Sequence, residues 1–343
     1  MVKSIDVHLC RRASGKPRRK FGVLAVVRSM YPKNTLDNLD ILNEIDPVNV
    51  ADLSFQHDAI ATHAPAKHER AIVSSLYSDS YLPGILTLAQ SLTAANTSAR
   101  FVLLYFPERI PARSVCLAEA AGWELVPVAR IAPPDDGPLF HRYADQYTKL
   151  RLWALDALGI KMGVYLDGDT LVRRNIDELF SLPYNFAAVP DIYTDKGFTM
   201  DINAGVLVFR TSTATFEDML RKVGSARFER RFAEQGFLRM YFAHQVLRLP
   251  FIYNANLAIK RWNEDTWSVI MEELRVIHYT LVKPFPEEVP PPTDPVESEI
   301  LVRNTLNERK LHYDNGMWRS EFELWERHYN DSLRALAGKC IMS

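Results

Sequence analysis

The sequence predicts an α/β fold: a mainly parallel central sheet flanked by helices, followed by a C-terminal helical extension. Three observations carry this. Short apolar, β-branched runs alternate with stretches of helical periodicity from residue 71 onward, the pattern of a parallel sheet covered on both faces. The chain has 343 residues, 47% of them hydrophobic, enough to bury a large core. Trp318 to Leu336 repeats apolar residues at helical spacing and reads as a closing amphipathic helix.

Taken in order, residues 1–66 read as an irregular extension without sustained periodicity. Its basic clusters, Arg11-Arg12 and Lys16 to Lys20, fit a solvated tail. Ala71 to Tyr77 is the first expected strand. Tyr81 to Ala95 is the first helix, with Ser80 as N-cap and Pro83 in the first turn. Strands follow at Phe101 to Phe106 and Trp123 to Val128, with a helix from Pro111 to Ala121 between them. Pro133, Pro134, Gly137 and Pro138 mark a loop. A helix over Asp145 to Leu158 stops at Gly159, and Met162 to Leu166 is the next strand. Strands at Phe186 to Val189 and Gly205 to Phe209, and helices at Thr213 to Val223 and Ala233 to Ala243, complete the core. Residues 287–300 are proline-rich and acidic and read as a linker; 301–343 form the C-terminal helical segment.

The formal net charge is −1, so nucleic acid and anionic membranes are not expected partners. Cys10, Cys116 and Cys340 are an odd set without metal or redox spacing, so no disulfide framework is expected. Phe21 to Val27 is apolar but far shorter than the roughly 20 residues of a bilayer span, and no cleavage site follows. No signal peptide or membrane span is expected, and the expected location is the cytoplasm, with the Golgi as the alternative for a chain missing an N-terminal anchor.

Chemistry concentrates at Tyr165-Leu-Asp-Gly-Asp-Thr-Leu-Val172. Asp167 and Asp169 stand one residue apart at the end of a buried strand, where open α/β sheets bind ligands. Two such carboxylates can turn towards one hard cation, and Gly168 between them lets backbone approach a ligand. The competing reading is a turn stabilised by its own aspartates. His278 closes a second apolar run, and Lys283 follows it by five residues; taken singly they read as a core or surface histidine and a surface lysine. Oxygen ligands favour magnesium or manganese, and an added imidazole favours manganese. A cation on Asp167, Asp169 and His278, with the Lys283 ammonium, would suit a diphosphate.

Six segments in order also resemble glycosyltransferase family eight, the family of glycogenin, galactinol synthase and the plant xylan glucuronosyltransferases. They are Ala71–Leu92; Tyr147–Trp153; the Asp-x-Asp with Asn175–Phe180; Ile202–Val208; Glu234–Leu238 with Leu249–Asn254; and His278–Phe285. The resemblance implies a GT-A fold, Rossmann-like, over a catalytic domain at 67–286. It also implies retention of anomeric configuration in transfer from a UDP-sugar to an acceptor hydroxyl on a saccharide, polyol, lipid or protein. By this resemblance Asp167, Asp169 and His278 ligate manganese. Ser75, Tyr77 and Tyr81 line the uridine pocket, and Lys149 and Lys283 reach the donor. Asn203, Ala204 and Gly205 match the family's Asn-Ser-Gly, and Asp191 lies near the donor sugar. Glu234 and Gln235 face the reacting carbon. The departures are Glu234 for an aspartate, Leu281 for a glycine, and Arg231 for an acid. A binding or scaffold protein that kept the pocket is the alternative function, a homodimer is left open, and so is the choice between same-face attack and a covalent intermediate on Glu234.

Overall fold

The computed structural model describes residues 64–134, 139–140, 143–193, 197–287, 291–292 and 294–340. The expectations for residues 1–63, for Gly137 and Pro138, and for Cys10 lie outside the described residues.

In chain order, β1 (Arg70–Leu76) leads to α1 (Leu82–Ala94), β2 (Arg100–Tyr105), α2 (Ala112–Ala120) and β3 (Glu124–Pro127). A 3-10 helix over Gln146–Leu158 precedes β4 (Met162–Leu166), β5 (Thr170–Val172), β6 (Phe186–Tyr193) and β7 (Gly197–Arg210). Next come α3 (Thr213–Val223), α4 (Ala233–Phe242), β8 (Leu247–Arg248), β9 (Ala255–Asn256), α5 (Ala258–Trp262) and α6 (Glu264–Glu273). β10 (Val276–His278), α7 (Pro295–His312) and α8 (Arg319–Leu336) close the chain.

The main sheet has the order β3-β2-β1-β4-β7-β6-β8. β1 pairs in parallel with β2 and β4, and β2 with β3, whereas β7 runs antiparallel to both its neighbours. Successive residues of β1 serve opposite faces. Ile72 joins the core beneath α1 and the C-terminal helices, and Ala71 and Val73 join the core beneath the 3-10 helix and α4. Burial on both faces explains why the strand reads as one continuous apolar run.

Several local expectations shift. Tyr81, not Ser80, precedes α1, and no side chain caps it. Ser80 Oγ instead donates to the Glu287 carbonyl at 2.8 Å. The expected helix at 145–158 is a 3-10 helix, closed by Gly159 at φ 72°. Three residues per turn bring every third side chain into line. Tyr147, Leu150 and Trp153 therefore form one buried row, and Lys149, Leu152 and Leu155 a second, which carries the lysine inward. β7 is 14 residues long, against the five expected. Its pairing with β6 slips around Pro190, where the missing N–H interrupts the ladder, and the irregularity re-aims Asp191.

The C-terminal helices belong to the main core. Val302, Leu306, Trp318, Phe322 and Trp325 are buried in the same cluster as Ile85 and Leu88 of α1. α7 starts within the stretch expected as linker: the Asp294 side chain accepts from the N–H groups of Val296 and Glu297, and Pro295 enters the first turn. The cysteine expectation is overturned. Cys116 of α2 and Cys340 beyond α8 form a disulfide across 224 positions, because the packing of α8 on α1 returns the terminus to α2, a proximity that spacing along the sequence does not register. Among the described residues, no helix is long and apolar enough to cross a membrane.

Candidate active site

The cleft, of about 410 Å³, opens where β4 ends, and every residue given a catalytic, donor-binding or metal role from the sequence lines it. β4 hands over to Asp167, whose N–H donates to Gly205 of β7 at 2.9 Å and whose Oδ1 accepts from the Tyr165 hydroxyl at 2.8 Å. The turn after it returns as β5, and β5 pairs antiparallel with β10, setting His278 opposite Thr170. The Tyr279 N–H donates to the Asp169 carbonyl at 3.0 Å. This pairing brings together residues over a hundred positions apart.

One ligand atom from each of Asp167, Asp169 and His278 lies within 4.8 Å of the others. His278 Nε2 is 3.3 Å from Asp169 Oδ1 and 4.0 Å from Asp167 Oδ2. Two carboxylate oxygens and an imidazole nitrogen converging on one point suit a divalent cation of the manganese or magnesium type. The residues present fit such an ion.

Two buried ammonium groups flank the triad. Lys149 Nζ lies 2.9 Å from Asp167 Oδ1, 3.0 Å from Glu234 Oε1 and 3.3 Å from the Ala204 carbonyl, using all three of its donors. Burial opposes its charge, but Asp167 and Glu234 outweigh burial and raise its pKa. Lys283 Nζ bonds Asp169 Oδ2 and donates to the Tyr279 carbonyl at 3.0 Å. Burial likewise works against Asp169, yet Lys283 and His278 hold its carboxyl far below the usual carboxylate range. Burial raises Glu234 despite Lys149, and raises Asp191 despite its hydrogen bonds.

The far wall is a closed polar network. Asp191 Oδ1 accepts from Asn203 Nδ2 at 2.9 Å, and Asp191 Oδ2 from Gln235 Nε2 at 2.9 Å. Gln235 Oε1 accepts from the Ala204 N–H at 2.9 Å, and Asn203 Oδ1 from the Gly205 N–H at 2.9 Å. Glu234 meets Lys149 through its Oε1. Leu281 lines the cleft, while Arg231 pairs with Glu229 at the surface. Ser75 bonds the Tyr165 hydroxyl at 2.8 Å, Tyr77 stacks on Phe106, and the Tyr81 hydroxyl donates to Glu287 Oε2 at 3.0 Å.

Glycines fix two approaches. A Cβ on Gly205 would stand 2.1 Å from His278 Cε1, so only hydrogen fits there. At Gly168 a Cβ would meet Ile85 at 3.1 Å, and the Gly168 carbonyl lies where Gly84 would carry its own Cβ. The missing side chains therefore let the Asp-x-Asp turn pack against α1.

Three participants escaped the sequence reading. Tyr165 points from β4 towards Asp167. Asn254, 2% exposed, bonds His278 Nδ1 through its Oδ1 at 2.8 Å; it closes the resembling segment Leu249–Asn254, but nothing in that segment gave it a role of its own. Glu287, the first residue of the expected linker, lines the cleft.

Residues 72–286, more than half of the chain, match glycosyl transferase family 8. Glycogenin of Neurospora crassa is 30% identical over 224 residues, covering 63% of this chain and 31% of the relative. Inositol phosphorylceramide glucuronosyltransferase 1 of Arabidopsis thaliana is 30% identical over 235 residues, covering 62% and 41%. Galactinol synthase 1 of the same plant is 28% identical over 244 residues, covering 62% and 69%. The chain thus spans less than half the length of the first two. The solved structure of WbbM, a bifunctional glycosyltransferase, superposes with a TM-score of 0.51 at 17% identity, over 78% of this chain and 53% of that one; this bears on the fold alone, which is of the GT-A type. The matched segment runs from the first strand of the sheet through the Asp-x-Asp turn to His278 and Lys283, and on that ground the chain belongs to glycosyl transferase family 8.

Proposed function

We propose that the protein transfers a glycosyl group from a UDP-sugar to an acceptor hydroxyl, with retention of anomeric configuration and dependence on a divalent cation, manganese before magnesium. The observation that carries this is the convergence of Asp167, Asp169 and His278 within 4.8 Å at the end of β4, beside two buried lysines. Asp167, Asp169 and His278 would hold the cation, which when bound neutralises charge developing on the departing diphosphate as a Lewis acid.

The protein's own groups supply the rest. Lys283 offers a point charge at the diphosphate end, while Lys149 keeps Asp167 and Glu234 oriented. The bond between the anomeric carbon and the phosphate oxygen breaks, with its electron pair leaving on UDP. The acceptor oxygen bonds that carbon on the same face, and its proton passes to the departing phosphate. Asp191 and Gln235, locked to one another, present fixed dipoles to the sugar as positive charge develops on it.

A screen of UDP-glucose, UDP-galactose, UDP-glucuronate and UDP-xylose with manganese tests this. A donor at a hundred times its Kd stabilises the fold by about 2.7 kcal/mol, read as a rise in Tm. The same donor should release UDP slowly, and NMR of the transfer product should show the donor's anomeric configuration. Protection without UDP release in the presence of acceptors would indicate a binding protein; no protection by any of the four would contradict the donor assignment.

A further inference from the structure

We infer that Asn254 is a positioning residue that sets the tautomer of His278 and ties the metal triad to the sugar-facing wall of the cleft, an inference that rests on the function proposed above. Asn254 follows the short turn Phe251–Tyr253 and directly precedes β9, the strand parallel to β10. That placement sets its amide between His278 and Asn203.

The orientation of the amide follows from its neighbours. Asn203 Oδ1 already accepts from the Gly205 N–H at 2.9 Å, and Asn203 Nδ2 donates to Asp191 Oδ1 at 2.9 Å. The edge of Asn203 that faces Asn254 is therefore an acceptor, and Asn254 must present Nδ2 to it, at 2.8 Å. That leaves Asn254 Oδ1 facing His278 Nδ1 at 2.8 Å. A carbonyl oxygen only accepts, so the neutral imidazole carries its proton on Nδ1. Its lone pair then lies on Nε2, the nitrogen that faces Asp169 and Asp167. The opposite tautomer would aim a proton at the cation position and leave Asn254 Oδ1 buried without a donor.

One line of hydrogen bonds thus runs from His278 through Asn254, Asn203 and Asp191 to Gln235. Its polarity is anchored at the Gly205 and Ala204 N–H groups, which cannot reverse. Asparagine suits position 254 because it accepts at one end and donates at the other. Aspartate would still accept from His278 Nδ1, but would set an oxygen against Asn203 Oδ1. Alanine would lose both contacts.

Manganese binding by the full chain, without donor or acceptor, tests the metal end by electron paramagnetic resonance of free Mn2+. Asn254→Ala should weaken binding by roughly 10- to 100-fold, the usual cost of losing a partner that orients a metal-bound histidine. Asn254→Asp should escape that roughly 10- to 100-fold loss, since the histidine keeps its acceptor, while its UDP release falls through kcat. Equal Mn2+ affinity in Asn254→Ala and the wild type would overturn the inference. A wild type that binds no Mn2+ would instead count against the metal-dependent function. Long-range 1H–15N NMR of the metal-free wild type, recorded where the His278 ring carries a single proton, reads the tautomer without any variant having to fold. A His278 protonated on Nδ1 supports the inference, and one protonated on Nε2 refutes it.

Discussion

Adding one methyl group at Gly205 should disable the metal site while leaving most of the fold in place. A Cβ there would lie 2.1 Å from His278 Cε1, 2.6 Å from His278 Nδ1 and 2.9 Å from Asn203 Oδ1. Ordinary contact begins near 3.4 Å, so the imidazole must withdraw by about 1.3 Å. Its Nε2 now stands 3.3 Å from Asp169 Oδ1, and metal–ligand distances tolerate only about 0.2 Å. The ring cannot retreat that far and still coordinate. Overpacking of this kind costs about 1–3 kcal/mol of stability, a few degrees in Tm for a chain of this size. Gly205→Ala should therefore melt cooperatively and bind Mn2+ at least about tenfold more weakly than the wild type. Mn2+ titration alongside thermal unfolding monitored by circular dichroism measures both. A folded Gly205→Ala chain with wild-type Mn2+ affinity would falsify the placement of His278 in the triad.

Three further outcomes follow from the packing and the charges. The Asp169 carboxyl is depressed in the folded state, by Lys283 and His278 against burial, so its contribution is fully present above the ordinary aspartate value of about 3.9 and is lost as pH falls through the lower folded value. The Tm of the wild type should fall more steeply than that of Asp169→Asn on acidification below about pH 4; parallel curves would contradict the pairing. Opening the Cys116–Cys340 bridge with Cys340→Ser should cost about 2–4 kcal/mol, read by denaturant unfolding, while non-reducing peptide mapping should recover the two wild-type segments linked; separate peptides would remove the bridge. A chain ending at His312 loses Trp318, Phe322 and Trp325, all fully buried. At about 1.5–3 kcal/mol each, their loss rivals the whole stability of an ordinary domain, so no cooperative transition is expected, and a sharp one would show that α8 is dispensable.

The legibility of the sequence follows the range of the forces involved. β1, β2 and β4 are buried on both faces, so their composition alone marks them, and the end of β4 marks the Asp-x-Asp turn. The partnership with His278 depends on β5 and β10, three residues each, too short for any periodicity. Local pattern offered His278 only as a candidate, and the order among six motifs set it with the two aspartates. Asn254 and Tyr165 act through other side chains, and single polar residues inside apolar runs carry little signal. The start of α7 was legible in Asp294-Pro295, but the surrounding prolines suggested a linker and hid it. The disulfide was beyond reach, because only the docking of α8 on α1 makes the two sulfurs neighbours.

The proposed role of Asp167, Asp169 and His278 is to bind a cation that serves glycosyl transfer. Its most direct test is the rate of UDP release from the best-binding UDP-sugar, with Mn2+, by the wild type and by Asp169→Asn. The wild type should turn over and stop on chelation, and the variant should be slower by at least about a hundredfold. Equal rates in the two chains, or turnover indifferent to chelation, would contradict it.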